Sequence, residues 1–257
     1  MAATGVEFAG VSYALPSGRD GESGRVLLRD IQLTLEPGAT TALLGRSGSG
    51  KTTLLRMVNG LAQPTSGEVL VGGKSTADYD LVELRRSIGY VIQETGLFPH
   101  MTVERNAGLS LELAGKPPAE IGRRSAEVLA LAGLDFTEFR ARYPWQLSGG
   151  QRQRVGLARA LATDPAVLLM DEPFGALDPL TRAEMQTMLR DLLERVGKTV
   201  LLVTHDLPEA LYLARRVVFL DAGEIVADLP TTEVLHSQEP HVRAYVDALH
   251  RTTPGVS

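Results

Sequence analysis

The chain has 257 residues, 44% of them hydrophobic, enough for one large domain or two small ones around a sizeable core. Its charge, 26 − 31 = −5, argues against a nucleic-acid binder that relies on a basic surface, and the absence of cysteine excludes a disulfide framework, a zinc ribbon and a thiol nucleophile. No apolar run approaches the ~20 residues of a membrane-spanning helix, and the first ten residues lack the basic segment of a secretory signal. A soluble, cytoplasmic, mixed α/β protein is expected.

In chain order, Val6–Val11 and Val26–Leu35 read as extended segments separated by the polar Ser17–Gly24, a flexible hairpin loop. Thr41–Leu44 is a short apolar strand, followed by the glycine loop Gly45–Gly50 and an apolar-periodic helix over Thr52–Leu61. Glu68–Val71 and Ser87–Val91 are further strands, with Gly72-Gly73 as the turn after the first. From Met101 to Leu134 the texture is helical, with Val103–Ala114 and Pro118–Ala132 broken by Gly115 and Pro117-Pro118. Another helix runs from Gln151 to Ala162. Strands and helices then alternate: Ala166–Met170, Leu180–Val196, Thr199–Val203, Leu207–Ala214 and Val217–Leu220. Such alternation indicates βαβ units and a mainly parallel sheet. The helical block of about 95–160 therefore interrupts an α/β core. One domain is expected over 6–245, with 246–257 as a C-terminal tail, loose from Arg251 onward.

The strongest single signal is Gly45-Arg46-Ser47-Gly48-Ser49-Gly50-Lys51-Thr52, which fits G-x-x-x-x-G-K-[ST] between a strand and a helix. Glycines let the backbone wrap a phosphate chain with its N–H groups pointing inward, and the helix N-terminus adds roughly half a positive charge. Lys51 then reaches the β- and γ-phosphates and the Thr52 hydroxyl ligates Mg²⁺, with Thr53 beside it. The blander alternative, a glycine-rich turn with a solvated lysine, leaves this flanking context unexplained. Ala166–Met170 ends in Asp171 and Glu172, at the carboxyl rim of the sheet where ligands of α/β proteins bind. Asp171 suits a metal-holding carboxylate and Glu172 a base that orients and deprotonates water. The alternative, a pair of helix-capping acids before Pro173, carries less weight beside the glycine loop. Leu147-Ser148-Gly149-Gly150-Gln151 opens a second helix whose N-terminus can receive an anion. It has no lysine or metal ligand of its own, so it is half of a phosphate site.

Gly45–Thr52, Gln93, Leu147–Gln151, Val167–Glu172, Ala176–Asp178 and His205 occur in the order and spacing of the ATP-binding subunits of ABC transporters. The chain resembles that family over about residues 6–245. The resemblance implies a P-loop NTPase (RecA-like) α/β core with an N-terminal antiparallel β subdomain and an inserted helical subdomain. It implies ATP and Mg²⁺ as cofactors, with Thr52, Gln93 and Asp171 at the metal and Glu172, Gln93 and His205 in catalysis. Gln93 contacts Mg²⁺ and the attacking water, and His205 hydrogen-bonds the γ-phosphate. Ser148, Gly149, Gly150 and Gln151 close over the γ-phosphate of a second subunit, and Asp178 communicates across the dimer. Taken alone, His205 reads as a capping or surface residue, as do His100, His236, His241 and His250. Two positions depart from the family pattern. The adenine-stacking aromatic is expected where Leu15 stands, which leaves Tyr13 either to stack through a shifted loop or to pack as a strand residue. Trp145 occupies a position that is often polar in importers.

The implied partners are a second copy or close paralogue across the ATP sites, transmembrane permease subunits and, indirectly, a solute-binding protein, without nucleic acid. The implied location is the cytoplasmic face of the membrane. A DNA-maintenance ABC protein needs a long coiled coil between Gln93 and Ser148, a translation-type one needs two cassettes, and a P-loop kinase needs no Ser148–Gln151 signature. A free-standing regulatory ABC ATPase is compatible with every residue. Ser87–Val103 and Asp171–Pro179 look most like importers of quaternary-ammonium osmoprotectants such as glycine betaine, choline and carnitine, although nitrate, sulfonate and amino-acid importers share much of this text. Many osmoprotectant subunits append a pair of regulatory modules, for which 257 residues leave no room. The apolar Leu97, Phe98 and Met101 either pack inward or line a groove for a permease helix.

Overall fold

The computed structural model describes residues 4–15, 25–93 and 95–252, with the backbone alone for 250–252. The expected Ser17–Gly24 loop, and the chain after 252, lie outside the described residues. In chain order the elements are β1 (Val6–Ala14), β2 (Val26–Leu35), β3 (Thr40–Leu44), α1 (Lys51–Val58), β4 (Ser66–Val71), β5 (Lys74–Ser75), α2 (Leu81–Ser87), β6 (Ile88–Val91), α3 (Val103–Leu113), α4 (Pro118–Leu131), α5 (Phe136–Phe139), α6 (Gly149–Leu161), β7 (Val167–Asp171), α7 (Pro179–Val196), β8 (Thr199–Thr204), α8 (Leu207–Leu213), β9 (Arg216–Asp221), β10 (Glu224–Pro230), α9 (Thr231–Val234) and α10 (Pro240–Thr252). They divide into two compact units, one of residues 4–81 and 199 onward, the other of residues 82–198.

The first unit contains an antiparallel sheet in the order β2-β1-β4-β5. The period of two that marks half-buried strands is plain in β1, where buried Val6 and Phe8 flank exposed Glu7. In the same unit β3 pairs in parallel with β8 on one side and β9 on the other, and β10 closes antiparallel against β9. Every residue of β3 and β8 is buried, as expected of parallel strands covered on both faces. The mainly parallel core and the antiparallel N-terminal sheet read from the sequence are thus both present.

The C-terminal end differs from expectation. Within the described residues, 246–252 are not a tail: α10 runs to Thr252 and carries Val242 and Val246 into a cluster with Leu44, Leu207, Ala210, Phe219 and Val234. Val242, Tyr245, Val246 and Leu249 recur at helical spacing, and burying each valine contributes roughly 1.5–3 kcal/mol. Strand β10 also escapes a periodicity reading, because none of its residues is fully buried and it ends in proline.

In the second unit β6 and β7 pair in parallel from Ile88↔Val167 to Val91↔Met170. Helices α3, α4 and α6 of the expected helical block bury Val103, Ala107 and Leu111 with Val128, Leu129, Val155 and Leu157. Helix α2, absent from the sequence reading, precedes β6. Arg124 donates to the carbonyls of Leu161 and Ala162 at 3.0 Å each, satisfying acceptors that the end of α6 would otherwise leave open.

Candidate nucleotide site

In the first unit β3 delivers its last residue, Leu44, opposite Thr204 of β8. The glycine loop and His205 therefore emerge from neighbouring parallel strands at their carboxyl ends. A Cβ on Gly45 would lie 2.3 Å from the Leu220 carbonyl oxygen, and one on Gly50, at φ 104°, 2.5 Å from Leu28 Cδ2. Only glycine fits either position. Lys51, buried at the start of α1, donates from Nζ to the carbonyls of Gly45 (2.8 Å) and Arg46 (3.0 Å), so its charge is folded over the loop. Ser49 Oγ is buried without a hydrogen-bond partner, while Arg46, Ser47 and Gly48 are exposed. A loop that excludes side chains, buries an unsatisfied hydroxyl and holds an ammonium overhead fits a phosphate chain. Thr52 and Thr53 are half-buried in the first turn of α1. His205 is exposed; Thr204 Oγ1 accepts from the Asp206 amide at 3.0 Å, and Asp206 caps α8 through the Glu209 amide at 2.9 Å.

The second unit gathers the remaining candidates. Asp171 ends β7, buried, with the Tyr90 hydroxyl 3.5 Å from its Oδ2. Glu172 follows at φ 47°, a conformation that costs a non-glycine residue on the order of 1 kcal/mol and turns its side chain out of line with the strand. The turn closes by the Gly175 amide donating to the Glu172 carbonyl at 3.2 Å. Gln93 stands beside that turn: a Cβ on Gly175 would meet its Nε2 at 3.3 Å. Ser148 caps α6 in a reciprocal box, its Oγ accepting from the Gln151 amide at 3.2 Å and its own amide donating to Gln151 Oε1 at 2.9 Å. Asp178 caps α7 by accepting from the Thr181 amide at 3.1 Å, and the Thr181 hydrogen bonds hold its carboxyl below the usual aspartate range. A Cβ on Gly150 would fall 2.6 Å from Thr181 Cγ2, so the starts of α6 and α7 touch. Gln93, Asp171 and Glu172 are thereby brought together, as are Ser148–Gln151 and Asp178.

Sequence reading missed the side chains that position this unit. Asn106 on α3 is fully buried, accepts from the Phe98 amide (2.8 Å) and donates to the carbonyls of Phe98, Met101 and Thr102 (3.1, 3.0 and 3.1 Å). Arg159 on α6, its pKa lowered by burial, donates to the carbonyls of Gly96 (2.7 Å) and Thr95 (2.8 Å). Together they fix the loop after Gln93. Nothing in spacing marks a buried amide in a helix; a polar residue within the otherwise apolar stripe of α3 is the available signal. Phe98 is exposed and packs edge-on to His100, 5.9 Å between ring centroids.

Tyr13 is half-buried on β1 opposite Leu28 of β2, and Leu15, past the strand's end, is 42% exposed. Trp145 lies in a short 3₁₀ turn before Ser148 and is 72% exposed.

The family model described as ABC transporter matches residues 28–175. The chain is 45% identical over 216 residues to the glycine betaine/carnitine/choline transport ATP-binding protein OpuCA of Bacillus subtilis, covering 84% of this chain and 57% of that protein. It is 50% identical over 202 residues to the sulfate/thiosulfate import ATP-binding protein CysA of Mesorhizobium japonicum, covering 77% and 57%. The chain thus spans a little over half the length of these curated relatives. A solved dimeric ATP-binding cassette, in a post-hydrolysis state bound to ADP and Pi, superposes with a TM-score of 0.78 at 36% identity, over 88% of this chain and 98% of that one. The fold is that of the P-loop cassette, with its antiparallel and parallel sheets and its helices, and with a family match across the glycine loop, Gln93, Ser148 and Asp171 the chain belongs to the ABC transporter family.

Proposed function

We propose that the chain is the ATP-binding and hydrolysing subunit of an importer, working as a head-to-tail dimer on separate membrane subunits. The glycine loop carries this reading, because Gly45 and Gly50 admit no side chain, Ser49 Oγ is buried without a hydrogen-bond partner and the Lys51 ammonium is held over the loop by its own carbonyls. Backbone amides from Arg46 to Thr53 bind the triphosphate, and Lys51 moves from loop carbonyls to the β- and γ-phosphates. Tyr13 is the aromatic residue available to the base from the same chain. Thr52, Gln93 and Asp171 are the residues that would hold Mg²⁺, which when bound neutralises charge developing on the phosphates. Glu172 takes the proton of the attacking water, His205 donates to the γ-phosphate, and Gln93 orients the water. Ser148, Gly149, Gly150 and Gln151 complete the site on a second copy, with Asp178 beside them at the interface.

Among the described residues no helix is long and apolar enough to cross a membrane. On the importer reading, work on a solute passes through a docked permease on the cytoplasmic face. Leu97, Phe98 and Met101, expected to line the permease groove, do not line the nearby cavity of about 470 Å³, which is bordered by Val82, Arg85, Arg86, Tyr90, Leu113 and Arg159. Arg159 ties its wall to the loop after Gln93, and the docking surface is read as this cavity together with that loop. Likeness to the glycine betaine/carnitine/choline protein supports quaternary-ammonium solutes, delivered by a solute-binding protein. Likeness to the sulfate/thiosulfate protein supports a second reading, import of another solute.

Glu172→Gln tests the core of the proposal. It should retain ATP binding, lower turnover at least a hundredfold and elute as an ATP-dependent dimer. Turnover near the parent rate, with contaminating ATPases excluded, would remove Glu172 from its role.

A further inference from the structure

We propose that Trp145 of one protomer stacks on the adenine ring of the nucleotide held by the glycine loop of the other. The inference rests on the head-to-tail reading above and assigns a base-recognition residue within it. Trp145 and Tyr143 form a near-parallel offset stack, 6.1 Å between ring centroids at 11°. Tyr143 covers one face of the indole while Trp145 remains 72% exposed, leaving a flat aromatic surface open to solvent. Large aromatic side chains are seldom left so exposed without a partner.

The surface is rigid. Pro144 is buried beneath it, the Tyr143 amide donates to Gln146 Oε1 at 2.8 Å, the Val103 amide donates to the Arg142 carbonyl at 2.8 Å, and Arg152 donates to the Leu147 carbonyl at 2.7 Å. Little side-chain or loop entropy is left to lose when a third ring arrives. Its position follows from Ser148, three residues on, which is assigned to the γ-phosphate of the partner's nucleotide. Trp145 and Gln146 lie in the 3₁₀ turn and Leu147 is extended, so the indole stands within about 10 Å of Ser148, a separation comparable to that between a γ-phosphate and its base. The base is also short of partners in its own chain, since Leu15 is aliphatic where an aromatic is expected and Tyr13 is half-buried in its sheet. The solved relative is likewise a dimer with bound nucleotide.

Trp145 is the sole tryptophan, so intrinsic emission reports on it directly. In Glu172→Gln, ATP should quench that emission over the protein concentrations at which the dimer forms. Adding Ser148→Arg, which leaves each monomer able to bind ATP but blocks closure, should abolish the quench. Trp145→Leu in the Glu172→Gln background should raise the ATP concentration needed for dimerisation about tenfold, and Trp145→Phe should restore most of it, in line with base–aromatic stacking. A dimer formed with unchanged emission, or at the same ATP concentration in Trp145→Leu, would overturn the assignment while the dimer stands. Emission that responds to added permease but not to ATP would make this surface a membrane-subunit contact and overturn it too. Failure of Glu172→Gln to dimerise at all with ATP would sink the underlying head-to-tail reading instead.

Discussion

Leu44 of β3 lies opposite Thr204 of β8 in parallel register, and this one pairing sets the glycine loop and His205 side by side although far apart in sequence. Ligands of parallel sheets bind beyond the carboxyl ends of the strands, the end from which both the glycine loop and His205 emerge, in keeping with the proposal that they share the same phosphates. His205→Ala should therefore act on turnover more than on binding. Removing one donor that strengthens as the γ-phosphate departs should lower kcat at least tenfold, about 1.4 kcal/mol of barrier. The ATP Kd should move by less than a factor of about three, well under 1 kcal/mol. A fluorescent ATP analogue and single-turnover hydrolysis separate the two effects. Equal losses in both would reduce His205 to a ground-state contact.

Asn106 is the positioning residue most open to test. Asn106→Ala would strip the side-chain partner from the Phe98 amide and the Met101 carbonyl beneath the loop that follows Gln93, while the Phe98 and Thr102 carbonyls keep the backbone amides of Met101 and Asn106. A loss of about 2–4 kcal/mol in urea unfolding is expected, since unmet buried polar groups cost roughly 1–3 kcal/mol each and the loop can relax to meet some of them. Amide exchange of 96–102 should accelerate beyond the global change. A stability loss under about 1 kcal/mol would mean that water replaces the amide at little cost.

The legibility of this chain divides along physical lines. Strands β3, β7 and β8 were plain because burial on both faces demands unbroken apolar runs, and the phosphate loop was plain because its glycines are required, Gly45 by the Leu220 carbonyl against it and Gly50 by its φ of 104° beside Leu28. Helix α10 was missed because a polar, proline-containing approach masks the spacing of Val242 and Val246, which becomes visible only when Phe219 and Val234 are known to wait beneath it. The clamps of Asn106 and Arg159 were illegible for a different reason: both bond backbone carbonyls, which carry no side-chain signature in the sequence.

Val246→Asp tests whether α10 belongs to the folded unit. The site is 1% exposed within an apolar cluster, so an unpaired carboxylate there should cost at least about 3 kcal/mol and lower Tm, whereas Val246→Ile should cost under about 1.5 kcal/mol. A neutral Val246→Asp would return the segment to a loose tail.

Shared sites between chains predict a particular outcome on mixing variants. Lys51→Ala should weaken ATP binding by removing a charge pair with the phosphates, and Ser148→Arg should leave monomer binding intact but block closure. Neither variant alone should turn over ATP. In a mixed dimer one site carries both lesions and the other neither, so activity should partly recover as the two are titrated together. No recovery at any ratio would argue that both defects act within one chain.

The permease contact is the last prediction. The cavity near Tyr90 is bordered by Val82 and Leu113, which are 53% and 65% exposed, and Arg159 joins its wall to the loop that bears Phe98. Apolar side chains around arginines suit the end of a short helix carrying an acidic residue, because the stems bury against its apolar side while the guanidinium groups meet the charge. The chain has no cysteine of its own, so single cysteines at Val82, Phe98 and Leu113 report cleanly. They should cross-link to the co-expressed membrane subunit more efficiently than cysteines at Asp191 or Glu194 on α7. ATP with Glu172→Gln should change the yield at Phe98 more than at Val82 if Gln93 takes the proposed role at the γ-phosphate, since Phe98 is on the loop that follows it. Equal cross-linking at both groups of positions, or cross-linking only on α7, would move the membrane subunit to another face and leave the nucleotide site unlinked to this groove.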